Sequence, residues 1–189
     1  MSKERSVEVK SIPIKHLDIH IRGLSPLLQN LRIPDEMKEK DMTPQEEAEA
    51  KLWLLGEPSK GCIYGHPAVG FKASIVASVR TIDPKGMKKL AQSFMVRSQD
   101  PTGCVRLYTP GWVLDERWVN IQRNQVLWPR PRFDEWEARL EIDYDPEAIS
   151  AQELTDYIGR AGLFVGVGSN RPEKQTGNGG TNGMFEIAI

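Results

Sequence analysis

Nine lysines and arginines lie between Lys85 and Arg132, against three acidic residues, and tryptophans are interleaved with them. Lys85, Lys88, Lys89, Arg97, Arg106, Arg117, Arg123, Arg130 and Arg132 are candidate phosphate contacts. Trp112, Trp118 and Trp128 could each stack an unpaired base, which is worth ~1–3 kcal/mol per base. A second stretch, Val165 to Ile189, reads VGVGSNRPEKQTGNGGTNGMFEIAI. Glycines at this density allow positive φ and let another molecule's backbone come close. Arg171 and Lys174 add cations to this loop, and Gly168, Gly179 and Gly180 are candidate binding positions. The chemistry these two stretches offer is a grip on a single-stranded polyanion.

The formal net charge of −1 hides this pattern. Asp35 to Glu57 carries eight acidic residues and three lysines, and Phe133 to Asp156 carries nine acidic residues and one arginine. A basic middle therefore sits between acidic blocks, and local patches steer a polyanion more than the total does.

Other chemistries find less support. Gly166-x-Gly168 follows a helix, whereas a dinucleotide fingerprint precedes one, and there is no phosphate-loop motif. Cys62, His66 and Cys104 lack the spacing of a zinc site, so neither metal nor cofactor is expected. His16 and His20 share a strand face with Asp18, and His66 opens a helix. Such histidines can serve as acid or base in RNA cleavage, although polar strand and cap residues are the plainer reading. Two cysteines, no apolar run near 20 residues and no secretory leader predict a cytoplasmic protein with no membrane partner.

The elements that must position these residues follow from periodicity. Leu17, Ile19 and Ile21 alternate with His16, Asp18 and His20 as a half-buried strand. Thr43-Pro44-Gln45-Glu46 starts an acidic helix predicted to run from Pro44 to about Leu55, with Ala48, Leu52 and Leu55 as its apolar line. His66-Pro67 opens a buried helix with an apolar line through Val69, Phe71 or Ala73, Val76 and Val79, and Met87 to Phe94 forms a short basic one. Val105 to Trp128 reads as strands and hairpins. The two prolines of Trp128 to Phe133 exclude an interior strand there. Trp136, Ala138, Leu140, Ile142 and Tyr144 face inward from a strand whose outward residues are Glu137, Arg139, Glu141 and Asp143. Ser150 and Glu153 make a capping box for a helix that Gly162 should stop. A short apolar strand (Leu163 to Val165), the glycine-rich loop and a last strand from Met184 follow.

The order is that of an α+β, ferredoxin-like (RRM-like) βαββαβ domain spanning residues 1–189. Residues 33–57 form an inserted acidic helical arm, and 101–132 add inserted strands and hairpins. This order, with Gly166, Gly168, Gly177, Gly179, Gly180 and Gly183 ahead of a strand at Phe185, resembles the RAMP superfamily (repeat-associated mysterious proteins). That superfamily includes the backbone subunits of class 1 CRISPR effector complexes. RPRFDEW (130–136), the strand ending at Tyr144-Asp145-Pro146, and VGVGSNRP (165–172) are similar to uncharacterised phage-encoded proteins. The resemblance implies a ferredoxin-like fold that holds single-stranded nucleic acid along a filament of subunits without cutting it. One departure is expected, because three carboxylates on the outward face of the Trp136 strand would repel phosphates and disfavour base stacking on the sheet.

The function expected is therefore non-enzymatic binding of single-stranded DNA or RNA. Homo-oligomers, as rings or filaments, would form through head-to-tail contacts of acidic and basic blocks. Two competitors are an assembly or counter-defence protein without nucleic acid, and a metal-independent RNA endonuclease using His16, His20 or His66.

Overall fold

A computed structural model describes residues 11–34, 41–56, 63–98, 100–121, 123–173 and 179–188. In chain order the elements are β1 (Lys15–Gly23), β2 (Leu27–Leu28), α1 (Pro44–Glu49), β3 (Leu54–Leu55), β4 (Ile63–Pro67), α2 (Ala68–Ser78), α3 (Met87–Ser93), β5 (Phe94–Val96), β6 (Cys104–Tyr108), β7 (Val113–Ile121), β8 (Asn124–Phe133), β9 (Glu137–Tyr144), α4 (Ala151–Phe164) and β10 (Phe185–Ile187). The main sheet is antiparallel in the order β10-β1-β9-β6-β4-β3, with β5 also paired to β9. Its centre, with β10, β1, β9 and the β5/β6 position plus α2 and α4, is the ferredoxin-like βαββαβ pattern. A second sheet, β2-β8-β7, stands beside it.

The alternation in β9 buries Trp136, Ala138, Leu140, Ile142 and Tyr144, as the sequence predicts. Trp136, Phe71 and Phe185 meet edge-on in the core, with centroids 6.3 and 6.5 Å apart. Trp136 Nε1 donates to the Ser25 carbonyl at 2.9 Å, so the core indole leaves no unpaired donor. Both capping boxes form: Ser150 with Glu153 at the start of α4, and Thr43 with Glu46 at the start of α1. Small residues let α2 lie close to α4, and Ser78 Oγ reaches the Tyr157 carbonyl at 3.2 Å.

Several expectations are corrected. The helix from Pro44 stops at Glu49, and Leu54–Leu55 forms β3 against β4. Ala48, Leu52 and Leu55 are nevertheless buried, inside this chain. Of the line expected for α2, Val69 is 73% exposed while Phe71 and Val79 are buried as read; Ser74, Ile75 and Ser78 also face inward. Leu163 and Phe164 end α4 rather than forming a strand, and α4 runs through Gly162. That glycine is a crossing point, since a Cβ there would lie 2.0 Å from the Phe185 carbonyl oxygen.

Trp128 to Phe133, excluded above as an interior strand, is the second half of β8 and pairs with both β7 and β2. Within a strand a residue's N–H and C=O share one edge. The Pro131 carbonyl accepts from Gln29 N at 3.1 Å, and the Pro129 carbonyl accepts from Lys51 Nζ at 2.7 Å. Both prolines therefore turn their missing donor away from β7, leaving Trp128, Arg130 and Arg132 to carry that ladder.

Candidate nucleic-acid interface

The β7–β8 register decides which basic side chains meet. Asp115 pairs with Arg130, Arg117 with Trp128, and Val113 with Arg132. Directly opposed residues share a face, so three arginines and one tryptophan gather around a single carboxylate. Asp115, only 4% exposed, is 3.0 Å from Arg117 Nε, 3.4 Å from Arg130 Nη2 and 3.7 Å from Arg132 Nη1. Arg132 is shared with Asp134 at 2.8 Å. The Arg130 side chain is 10% exposed, its Nε has no hydrogen-bond partner among the described residues, and burial lowers its proton affinity against the attraction of Asp115.

A cleft of about 360 Å³ opens at this face, lined by Asn30, Arg117, Trp118, Val119, Trp128, Arg130, Ser169 and Asn170. It thus brings the basic middle of the chain to the glycine-rich loop. Trp128 is held from two sides: its Nε1 donates to Asn30 Oδ1 at 3.2 Å, and Lys51 Nζ lies 4.8 Å from its ring centroid. Asn30 is placed by its buried neighbour Gln29, which bonds the Gly65 carbonyl and the Trp53 N–H. Trp118, opposite Leu127 on the reverse face, is 69% exposed.

The loop is zipped to itself and to β2. Val167 N donates to the Gly183 carbonyl at 2.9 Å, Asn182 N to Asn170 at 3.1 Å, Gly180 N to Arg171 at 2.9 Å and Ser169 N to Leu28 at 2.8 Å. Its glycines make this possible. Gly168 has φ +75 and faces the Leu28 carbonyl, while a Cβ at Gly179 or Gly180 would strike the backbone of Pro172 or Asn170. The backbone they admit closely is this chain's own. Arg171 bonds Glu173 at 3.3 Å, and Glu173 also holds Arg80 of the α2 end. Lys174 lies outside the described residues, as does Cys62.

The remaining candidates fall elsewhere. Arg123 is exposed in the β7–β8 turn with φ +72. Trp112 packs against the core. Lys85, Lys88 and Lys89 are exposed at and after the α2 end, and Lys89 lines a small cavity with Glu153 in the first turn of α4. The loop leaves the other end of that 14-residue helix, about 20 Å away. Arg97 and Arg106 lie on the open face of the main sheet. There Arg97 and His16 both bind Asp143 at 2.5 Å, Arg22 and His20 bind Glu137 at 2.9 and 3.0 Å, and Arg139 binds Asp18 at 2.8 Å. The expectation of an acidic face is thereby refined, because cations on neighbouring strands answer these carboxylates. Hydrogen bonding from Arg22 holds the Glu137 carboxyl below its usual range. At Asp143 burial opposes the shift, yet Arg97 and His16 together hold that carboxyl down as well.

His66 is the next-to-last residue of β4, near Arg171 of the loop. Burial, and then the charge of Arg171, lower its pKa to about 4, and its Nδ1 has no partner among the described residues. Sequence reasoning missed Asp115 and Asn30. Asp115 could have been found, since in VLDERWVN it lies two residues before Arg117 and so on the same strand face; nothing in the sequence marks Asn30.

The fold is α+β and ferredoxin-like, with a cationic cleft between an added hairpin and the glycine-rich loop. It is similar to a chain in the cryo-EM structure of the Type III-B Cmr-beta bound to cognate target RNA, with a TM-score of 0.54 and 11% sequence identity. The similarity covers 93% of this chain, which spans 59% of the other's length. No protein-family model and no curated protein sequence matches the chain. Among the described residues no helix is long and apolar enough to cross a membrane.

Proposed function

We propose that this chain binds single-stranded nucleic acid, without cutting it, in the cleft between β7–β8 and the glycine-rich loop. The observation that carries the reading is the arginine cluster at Asp115. It has more cations than carboxylates, and a buried Arg130 with a donor to spare lines an open cleft. Arg117 and Arg130 would meet phosphates in the cleft with Arg132 beside them, Trp118 would stack a base where the strand passes over the hairpin to its reverse face, and Asn30, Ser169 and Asn170 would offer hydrogen bonds to an unpaired base or sugar. Gly168, Gly179 and Gly180 would act by shaping the loop. Arg123 and Arg171 extend the positive surface at either side. The similarity to a chain from an assembly bound to target RNA supports a nucleic-acid partner. Self-association along the strand belongs to the same reading, with the acidic segment 33–57 as the contact.

A cleaving role for His66 is the weaker alternative. A general base at neutral pH needs a pKa near 7, and burial moves His66 the other way. The reading is tested by titrating a labelled single-stranded oligonucleotide at increasing salt, with light scattering for stoichiometry. Affinity should fall steeply with salt. Absence of binding at low salt would overturn it in favour of an assembly protein without nucleic acid.

A further inference from the structure

We infer that Arg117 and Arg130, gathered with Arg132 around Asp115, form one phosphate-binding subsite of the cleft, and that Asp115 is the positioning residue that sets its charge. This rests on the single-strand reading above and specifies which groups would meet the backbone. Among the described residues three guanidiniums face two carboxylates, Asp115 and Asp134, so one positive charge is left over. Arg132 is taken mainly by Asp134 at 2.8 Å. The surplus therefore falls on Arg117 and Arg130, the two that line the cleft.

Arg130 is the incomplete member. Its 3.4 Å contact to Asp115 is longer than a charge-assisted bond prefers, and its Nε has no acceptor among the described residues. A buried donor without an acceptor carries a desolvation cost until an acceptor arrives. A phosphodiester supplies two anionic oxygens that suit the planar guanidinium fork. Ser169 and Asn170 stand across the cleft as neutral donors. Asp115 thus fixes the guanidiniums without cancelling them, and a bound phosphate acts as their second counter-ion.

The test uses Asp115→Asn in the full chain, with a single-stranded oligonucleotide and, separately, inorganic phosphate. The variant should bind with a salt slope steeper by about 0.7, the increment of one further phosphate on a single strand. Its thermal midpoint should fall, and bound oligonucleotide should restore more of it than the same ligand adds to wild type. An unchanged slope, with a midpoint loss that the oligonucleotide does not reduce, would make Asp115 a structural ion pair only and overturn the inference. Arg117→Gln, at a half-exposed position, carries the test should Asp115→Asn not fold; its slope should be shallower by about 0.7, and no change overturns the subsite. If wild type binds no oligonucleotide, the single-strand reading falls and phosphate alone decides. A larger midpoint rise in Asp115→Asn than in wild type then upholds the subsite, and equal rises reject it.

Discussion

Two polar surfaces of this molecule are rich in arginine, and among the described residues only the one at the β7–β8 cleft has charge to spare. On the open face of the main sheet the cations are met across the strands: Arg22 by Glu137, Arg97 by Asp143, Arg139 by Asp18. In the β7–β8 cleft three arginines converge on Asp115, and one of them is buried with a free donor. Exposed pairs contribute about 0–1 kcal/mol each and offer a polyanion little net attraction. A converging cluster leaves an anion both field and hydrogen-bond donors. The lesson is that a basic surface is judged by its unmatched charge, which register and topology decide and composition does not.

The largest effect expected follows from this contrast. Arg117→Gln with Arg130→Gln should weaken single-strand binding about a hundredfold or more, since hydrogen bonds between charged groups contribute about 1.5–3 kcal/mol each. Arg22→Gln with Arg139→Gln on the sheet face should change it by no more than about threefold. Fluorescence anisotropy at one salt concentration, with melting curves to confirm folding, makes the comparison. Equal losses from both pairs would erase the distinction between the two surfaces.

Much of the fold was legible because its signals are local. The alternation of β9 and the Ser150/Glu153 capping box depend on neighbours in sequence, and both formed as read. The errors share one cause, a partner remote in sequence. Pro129 and Pro131 look like strand breakers until Gln29 and Lys51 are seen to occupy their edge. Gly162 looks like a helix stop until Phe185 is found against it. For the site, composition pointed to the basic segment and the glycine-rich loop, and the fold gathers part of each into one cleft. Composition could not tell Arg97, paired on the sheet, from Arg130, buried and under-bonded. Nor could it reveal that the loop's glycines accommodate this chain's own backbone.

Acid should separate the two surfaces in a second way. His66, beside the loop, has a folded pKa of about 4 against an ordinary value of 6.5. Its stabilising contribution is complete above pH 6.5 and is lost as pH falls toward 4, because only the unfolded chain takes up the proton. That difference amounts to roughly 3 kcal/mol. Glu137 and Asp143 on the sheet are also depressed, so their contribution is intact above the ordinary carboxylate values and is lost as pH falls from those values through their own lower ones. Denaturant unfolding between pH 7 and 5 should therefore show a decline that His66→Gln flattens and Glu137→Gln does not. A decline that survives His66→Gln would assign it to the sheet face.

Aromatic residues sharpen the contrast at smaller scale. Trp118→Ala should weaken single-strand binding about tenfold, within the ~1–3 kcal/mol of a stacked base. Its exposure means stability should move by less than about 0.5 kcal/mol. Tyr108→Ala, on the sheet face with Arg106 over its ring, should leave binding unchanged. Quenching of tryptophan fluorescence by bound oligonucleotide, present in wild type and reduced in Trp118→Ala, checks the stacking directly.

The smallest effect concerns lysines that are close to the arginines in sequence and far from them in space. Lys88 and Lys89 lie on α3, beside the first turn of α4, while the cleft adjoins the loop that leaves α4 at its other end. That separation of about 20 Å exceeds the Debye length of about 8 Å at physiological salt. Lys88→Gln with Lys89→Gln should then alter the affinity of a short oligonucleotide, one that fills the cleft alone, by less than about twofold. A longer strand can leave the cleft and reach α3, so its salt slope should become shallower by at most about 1.4, the increment of two phosphates. If the short oligonucleotide loses as much as the long one, unmatched charge in the cleft is not what holds the strand. Net positive field over the whole basic segment would then be the better account.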